Sequence, residues 1–242
     1  MRYTHSFKLI RKRRHAAKIS IIITVVLSLL IILLGFKVLD AKLFFFGFIE
    51  SLFRVVIAYG ISLVIACLLA MLVVSTKKVE DITLPILDAL QSFPSFALYP
   101  LFVLWFGKVS LVTIIILIVE MIWPILFTLL SSHKQIHQDL FEAAKAYGAK
   151  NWKYLIYVLF PLLLPGIITG SIVAWGEAWE AIIAAEIIVN VPGVGSYLAN
   201  VGNSNHSELL IIGIALLLMI LFIINKYLWL PLLNFSTEYQ QD

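Results

Sequence analysis

Residues 139–161 read DLFEAAKAYGAKNWKYLIYVLFP, a polar and charged stretch set between long apolar segments. Asp139 can cap a short helix, and Glu142 stands three positions later, as in a capping box. Gly148 favours a helix end and Asn151 suits the cap of a following helix, so the chain is expected to turn sharply there. The stretch therefore predicts a short, exposed helix at a membrane surface.

The composition of the 242-residue chain excludes an ordinary soluble domain. Hydrophobic residues make up 62% and charged residues only 13%, and the mean hydropathy is +1.01. Long apolar runs indicate membrane-spanning helices, because the strands of a barrel would alternate in short segments. The segments long enough to span are 19–39, 49–75, 84–106, 109–131, 152–175 and 209–233. The first is too long for a cleaved signal peptide and has no small-residue exit site.

The basic residues are distributed unevenly between the two sides of these spans. Most of the 18 Lys and Arg residues lie in the N-terminal tail, after the second span and in the loop 132–151. The positive-inside rule therefore predicts that both termini and this loop are cytoplasmic. We interpret the basic tail as a signal for topology and lipid headgroups, so no nucleic-acid partner is expected.

The spacing within the opening stretch resembles a family motif. Glu142-Ala143-Ala144 is followed after three residues by Gly148 and, nine residues later, by Val-Leu-Phe-Pro at 158–161. This pattern resembles the EAA loop of ABC importer permeases, which docks on a separate ATPase. The resemblance implies ATPase-coupling roles for Asp139, Leu140, Phe141, Glu142, Ala143, Ala144, Tyr147 and Gly148. The alternative is an interfacial helix that only rests among the headgroups.

The third predicted span is interrupted by prolines and polar residues. Lipid cannot replace the backbone hydrogen bonds that prolines remove, so such segments occur within protein or along a wet cavity. The candidate residues of a translocation pathway here are Gln91, Ser92, Pro94 and Ser95. A proline kink satisfied by neighbouring helices is the alternative. The stretch 91–107, QSFPSFALYPLFVLWFG, also resembles the nitrate, sulfonate and taurine subgroup of ABC permeases.

An acidic residue also lies within the fourth predicted span. An unpaired carboxylate is unfavourable at that depth, so Glu120 is expected to point inward, with Arg54 as a candidate partner. Both a structural buried pair and a pathway residue remain open for Glu120.

A second group of acids surrounds residues 178–189. This stretch is short and acidic, which favours a re-entrant or outer-face element over part of a span. Glu177 and Glu180 would then be available to a binding protein, or would belong to a simply solvated loop. Glu186, followed by a Gly-rich turn, resembles the same subgroup and completes the pathway candidates. Because these acids do not suit an oxyanion, the solutes of the subgroup are not carried over.

The resemblance covers most of the chain from residue 84 onward. It implies an all-α integral membrane fold of the type I ABC importer permease kind, with about six transmembrane helices and a cytoplasmic coupling helix. A basic tail (1–18) and a C-terminal tail (234–242) would flank the permease domain (19–233). The expected assembly is a homodimer with two ATPase subunits and an extracytoplasmic substrate-binding protein, in the cell membrane of a prokaryote.

The chain offers no motif for chemistry of its own. A GxxxxGK[ST] phosphate loop is absent from the sequence, so ATP and Mg²⁺ would be bound by the partner ATPase. No catalytic, cofactor or metal residue is expected; His133 and His137 lack companion ligands, and Cys67 is the single cysteine. Two other classes stay open: a secondary transporter driven by an ion gradient, and a membrane scaffold that transports nothing.

Overall fold

The computed structural model describes residues 41–74, 76–136, 139–140, 142, 144, 154–204 and 207–238. The first predicted span, the basic tail and most of the loop 132–151 lie outside these residues. Within the described part of the chain, all regular secondary structure is helical. The predicted all-α fold is therefore confirmed, because no strand occurs where the structure is described.

The described helices follow one another along the chain with short connections. They are α1 (Ala41–Val73), α2 (Lys77–Gln91), a 3₁₀ turn (Ser95–Leu98), α3 (Tyr99–Phe106), α4 (Ser110–Gln135), a π turn (Leu155–Leu159), α5 (Phe160–Val189), α6 (Val194–Asn203), α7 (Ser207–Ile224), a second π turn (Asn225–Trp229) and α8 (Leu230–Glu238).

Four of the described segments are long and apolar enough to cross a membrane: Lys42–Val73, Ser110–Gln135, Tyr157–Val189 and Ser207–Ser236. They correspond to the second, fourth, fifth and sixth predicted spans. A fifth candidate is the bent pair formed by α2 and α3. Many of their large apolar side chains are exposed in this single chain, as expected for surfaces that face lipid.

The predicted interruption of the third span is confirmed. Helix α2 begins at Lys77, where the hydroxyl of Thr76 accepts a hydrogen bond from the backbone of Val79 at 3.3 Å, and it ends at Gln91. The pair Lys77–Gln91 and Ser95–Phe106 is bent by 73°. Pro94 explains the break, because its ring removes a backbone N–H and disfavours a helical residue before it.

The predicted end of the fifth span is wrong. The helix does not stop at residue 175 but runs without a break to Val189, so residues 178–189 continue this helix and do not form a re-entrant element. The acids do not end the helix because Glu186 finds buried partners within the protein. The helix ends at Asn190, whose left-handed backbone (φ 59°) is a common C-terminal signal.

Helices α4 and α5 pack more extensively than any other pair, and α1 packs against α4. A glycine allows the close approach of α4 and α5. A Cβ at Gly170 would lie 2.9 Å from the Cα of Ile125. Small residues at such crossings let helices meet in a membrane, where water does not drive association. Aromatic contacts attach the second π turn to this core, with Trp229 and Trp175 centroids 5.7 Å apart.

Candidate functional site

A cavity of about 690 Å³ opens where the α2–α3 segment is broken. We name it the Pro94 cavity. Its walls come from the break itself, from one face of α4 and from α5. The lining residues are Gln91, Ser92, Phe93, Pro94, Ser95, Phe96, Glu120, Trp123, Pro124, Phe127, Thr128, Ser131, Val173 and Glu177.

Most of the predicted pathway residues meet at this cavity. Gln91, Ser92, Pro94 and Ser95 reach it from the break, and Glu120 reaches it from α4. The end of α2 is ordered by its own polar groups: the hydroxyl of Ser92 donates to the carbonyl of Asp88 at 2.8 Å. The broken backbone therefore borders a partly polar, open cavity, and most residues of the break are exposed in this single chain.

The prediction of a re-entrant element or a solvated loop around Glu177 is wrong. Glu177 belongs to the continuous helix α5 and lines the Pro94 cavity, opposite Glu120 of α4. The carboxylates of Glu120 and Glu180 both lie within electrostatic reach of Glu177. The cavity is therefore acidic.

The sequence reasoning also missed the aromatic and hydroxyl residues that α4 contributes to the cavity. A signal for them was present in the sequence. They recur from Glu120 at helical spacing and include Trp123, Phe127 and Ser131. Residues three or four apart share one face of a helix, so the stripe marks the face of α4 that lines the cavity.

Glu186 does not line the Pro94 cavity, unlike the other pathway candidates. Its side chain is 0% exposed and accepts three hydrogen bonds. One carboxylate oxygen accepts from the hydroxyl of Ser51 at 2.6 Å and from the guanidinium of Arg54 at 2.7 Å. The other accepts from the backbone N–H of Gly195 at 2.9 Å. We call these four residues the Glu186 network.

The candidate pairing of Arg54 with Glu120 is not found, because Arg54 pairs with Glu186 instead. Arg54 donates to Glu186 and, with the same nitrogen, to the carbonyl of Pro192 at 2.6 Å. Its other terminal nitrogen lies 3.5 Å from Glu50, a half-exposed carboxylate one turn earlier. This second nitrogen also donates to the hydroxyl of Ser110, at the start of α4, at 3.4 Å. Arg54 is not among the residues that line the Pro94 cavity.

The Glu186 network joins three parts of the fold. Ser51 also accepts from the backbone N–H of Val194 at 2.9 Å, and Ser196 donates to the carbonyl of Val191 at 2.6 Å. Gly195 allows this closeness, because a Cβ there would lie 2.5 Å from the carbonyl oxygen of Ile183. The result is a buried, hydrogen-bonded joint between α1, α5 and the start of α6.

The predicted docking segment, residues 139–148, is described at four positions. Asp139, Leu140, Glu142 and Ala144 are helical, and the first three are exposed; Leu140 is 46% exposed. Phe141, Ala143, Tyr147 and Gly148 lie outside the described residues. The segment connects α4 to α5, the two most extensively packed helices. Nearby, Lys134 of α4 pairs with Glu80 of α2 at 2.9 Å.

Comparison with known proteins identifies the family. Residues 62–230 match the family described as "Binding-protein-dependent transport system inner membrane component". This range includes the Pro94 cavity, the docking segment, and Glu186 and Gly195 of the Glu186 network, whereas Ser51 and Arg54 precede it.

Curated relatives agree with the family match. The taurine transport system permease protein TauC of Escherichia coli (strain K12) is 29% identical over 149 residues, covering 62% of this chain and 54% of the relative. The nitrate import permease protein NrtB of Synechocystis is 29% identical over 178 residues, 72% of this chain and 65% of the relative. The putative aliphatic sulfonates transport permease protein SsuC of Bacillus subtilis (strain 168) is 26% identical over 184 residues, 76% and 67% respectively.

The matched region spans about half to two thirds of the length of these relatives. The resemblance to the nitrate, sulfonate and taurine subgroup is confirmed by the names of the relatives, which include a taurine, a nitrate and a sulfonate permease. Since the family match covers more than half of the sequence, this chain belongs to the binding-protein-dependent ABC transport permeases, a family of multi-pass membrane proteins with the type I permease fold.

Proposed function

We propose that this chain is the transmembrane subunit of an ATP-driven importer for a small solute. Two copies would form the membrane part, with two ATPase subunits on the cytoplasmic side and a substrate-binding protein outside. ATP and Mg²⁺ would bind to the ATPase subunits. The observation that carries this proposal is the position of the EAA segment within the family match, between the two helices that wall the Pro94 cavity.

The connection between docking and pathway is direct in this arrangement. The docking segment follows α4 and precedes α5, and these helices carry Glu120 and Glu177 on the cavity wall. ATP-driven closure of the ATPase subunits would pull two docking segments together. The attached ends of α4 and α5 would move with them, because tightly packed helices move as rigid bodies.

The Glu186 network would act as the fixed end of this movement. It ties α5 to α1 at the end of α5 far from the docking segment. By the positive-inside rule, the docking segment would be cytoplasmic and the network would lie toward the outside. Displacement at the cytoplasmic end would then tilt the helices about the network and open the cavity alternately to each side.

The experiment is to replace Gly148 by Val in the full transporter. The complex would be purified with its partners, and its solute identified by mass spectrometry of the co-purified binding protein. In proteoliposomes we expect Gly148→Val to lower solute uptake by about 5- to 150-fold, the range typical of coupling free energies, while ATP hydrolysis continues.

Gly60→Val is a matched control, since no atom lies within 4 Å of a Cβ at Gly60. This control should retain normal uptake. Normal uptake by Gly148→Val would contradict the proposed coupling. Uptake that persists without any ATPase subunit would favour a carrier driven by an ion gradient, which the carboxylates at the broken helix would also suit.

A further inference from the structure

We propose that the Pro94 cavity selects a small organic cation, such as an amine or a protonated heteroaromatic base, and rejects oxyanions. This inference rests on the proposed function, because it takes the cavity as part of the translocation pathway. It gives this chain a substrate class different from the taurine, nitrate and sulfonates that the names of its relatives state.

The charge of the cavity wall is the first argument. Glu120 and Glu177 line it, and Glu180 lies within electrostatic reach of Glu177. Among the described residues, no Lys or Arg lines the cavity. Arg54 is engaged by Glu186, and Lys134 pairs with Glu80. A second identical copy across the pathway would bring the same carboxylates, so a homodimer would strengthen the negative potential.

The aromatic lining is an independent argument. Phe93, Phe96, Trp123 and Phe127 all face the cavity, and the faces of such rings attract cations. Among the described residues no Arg or Lys lines the cavity to bind an anion, and the helix N-terminus in its wall belongs to the short 3₁₀ turn that begins at Ser95. The residues around this cavity therefore offer acceptors and ring faces, the chemistry that recognises organic cations.

The size of the cavity also suits a small solute. The volume of about 690 Å³ lies within the range of about 300–1,000 Å³ typical of small-molecule sites.

The test compares two probes of similar size and opposite charge. The full chain, purified with its ATPase partner in lipid nanodiscs, would be titrated with benzyltrimethylammonium and with benzenesulfonate. Quenching of tryptophan fluorescence reports binding, because Trp123 lines the cavity. The chain has six tryptophans, so a Trp123→Phe variant isolates the contribution of this one.

We expect saturable quenching by benzyltrimethylammonium that disappears in Trp123→Phe. The double variant Glu120→Gln, Glu177→Gln should bind this probe roughly tenfold more weakly. Glu208→Gln should bind it normally, since Glu208 is an exposed acid outside the cavity. Benzenesulfonate should bind the unmodified protein at least roughly tenfold more weakly than the cation.

Two results would overturn the inference: equal or tighter binding of benzenesulfonate, or no saturable quenching by the cation. Either result with a complex that still couples ATP hydrolysis to uptake would refute the substrate class and leave the proposed function standing. A permease that binds the cation without ever associating with an ATPase would refute the proposed function instead.

Discussion

Two carboxylates within membrane-spanning helices of this protein have opposite surroundings. Glu186 is fully buried and accepts hydrogen bonds from Ser51, Arg54 and the backbone of Gly195. Glu120 faces the Pro94 cavity with Glu177 across from it and no described cation beside it. Glu186 is thus paired and hydrogen-bonded, whereas Glu120 has no hydrogen-bond or ion-pair partner among the described residues.

The difference teaches how to tell a structural acid from one available to a ligand. A buried charge is tolerated only when it is paired and fully hydrogen-bonded. A carboxylate that lacks partners in a spanning helix must be wetted, protonated or bound by a ligand. Burial at membrane depth is therefore not by itself a sign of function, and the donors around the carboxylate decide the matter.

The largest effect is expected from breaking the Glu186 network. Arg54→Met should lower the free energy of unfolding by about 3–5 kcal/mol, because it leaves Glu186 buried without its counter-charge. Thermal unfolding of the purified protein in detergent, followed by intrinsic fluorescence, measures this. The control is Glu50→Gln, which removes the other carboxylate that lies near the guanidinium of Arg54. It should change stability by less than about 1 kcal/mol, since Glu50 is half-exposed.

The double variant Arg54→Met, Glu186→Gln sharpens the same point. The loss of Arg54 is harmful because it leaves the Glu186 carboxylate unpaired. The double variant should therefore lose less free energy of unfolding than the sum of the losses in the two single variants. If Arg54→Met had the same unfolding temperature as the unmodified protein, the contrast between the paired Glu186 and the unpaired Glu120 would be contradicted.

A smaller effect is expected from crowding the network. Gly195→Ala should destabilise the protein by about 1–3 kcal/mol, because its Cβ would meet the carbonyl of Ile183. The same change at Gly176, beside the cavity residue Glu177, meets no atom within 4 Å and should be neutral or stabilising by up to about 1 kcal/mol. The unfolding temperatures of the two variants should move apart, and equal shifts would contradict the contrast between a tight joint and an open site.

Much of the fold could be predicted from the sequence because the bilayer imposes simple rules. The long spans were predicted from the length of the apolar segments, and the break in the third span from Pro94, because both depend only on the local sequence. The break residues and Glu120 were expected on one pathway, and the structure places them around one cavity.

The pairing of charges could not be predicted in the same way. Arg54 and Glu186 are 132 positions apart, so only the tertiary fold shows that they meet. This dependence on residues distant in the sequence also explains the wrong prediction for residues 176–189. Three acids in a short stretch predicted a re-entrant or outer-face element, whereas the pairing of Glu186 with distant partners lets the helix continue. Composition records how many charges a segment has, but not which of them are paired.

The contrast between cavity and joint is tested most directly by the access of water-soluble thiol reagents. In a Cys67→Ala background, Ser95→Cys would place a thiol on the cavity wall and Ser51→Cys would place one in the Glu186 network. The rate of reaction with a charged methanethiosulfonate, measured in membranes with and without ATP, reports access. We expect Ser95→Cys to react at a rate that ATP changes, and Ser51→Cys to stay protected. The account would be contradicted if the two variants reacted equally fast and ATP did not change the rate at Ser95→Cys.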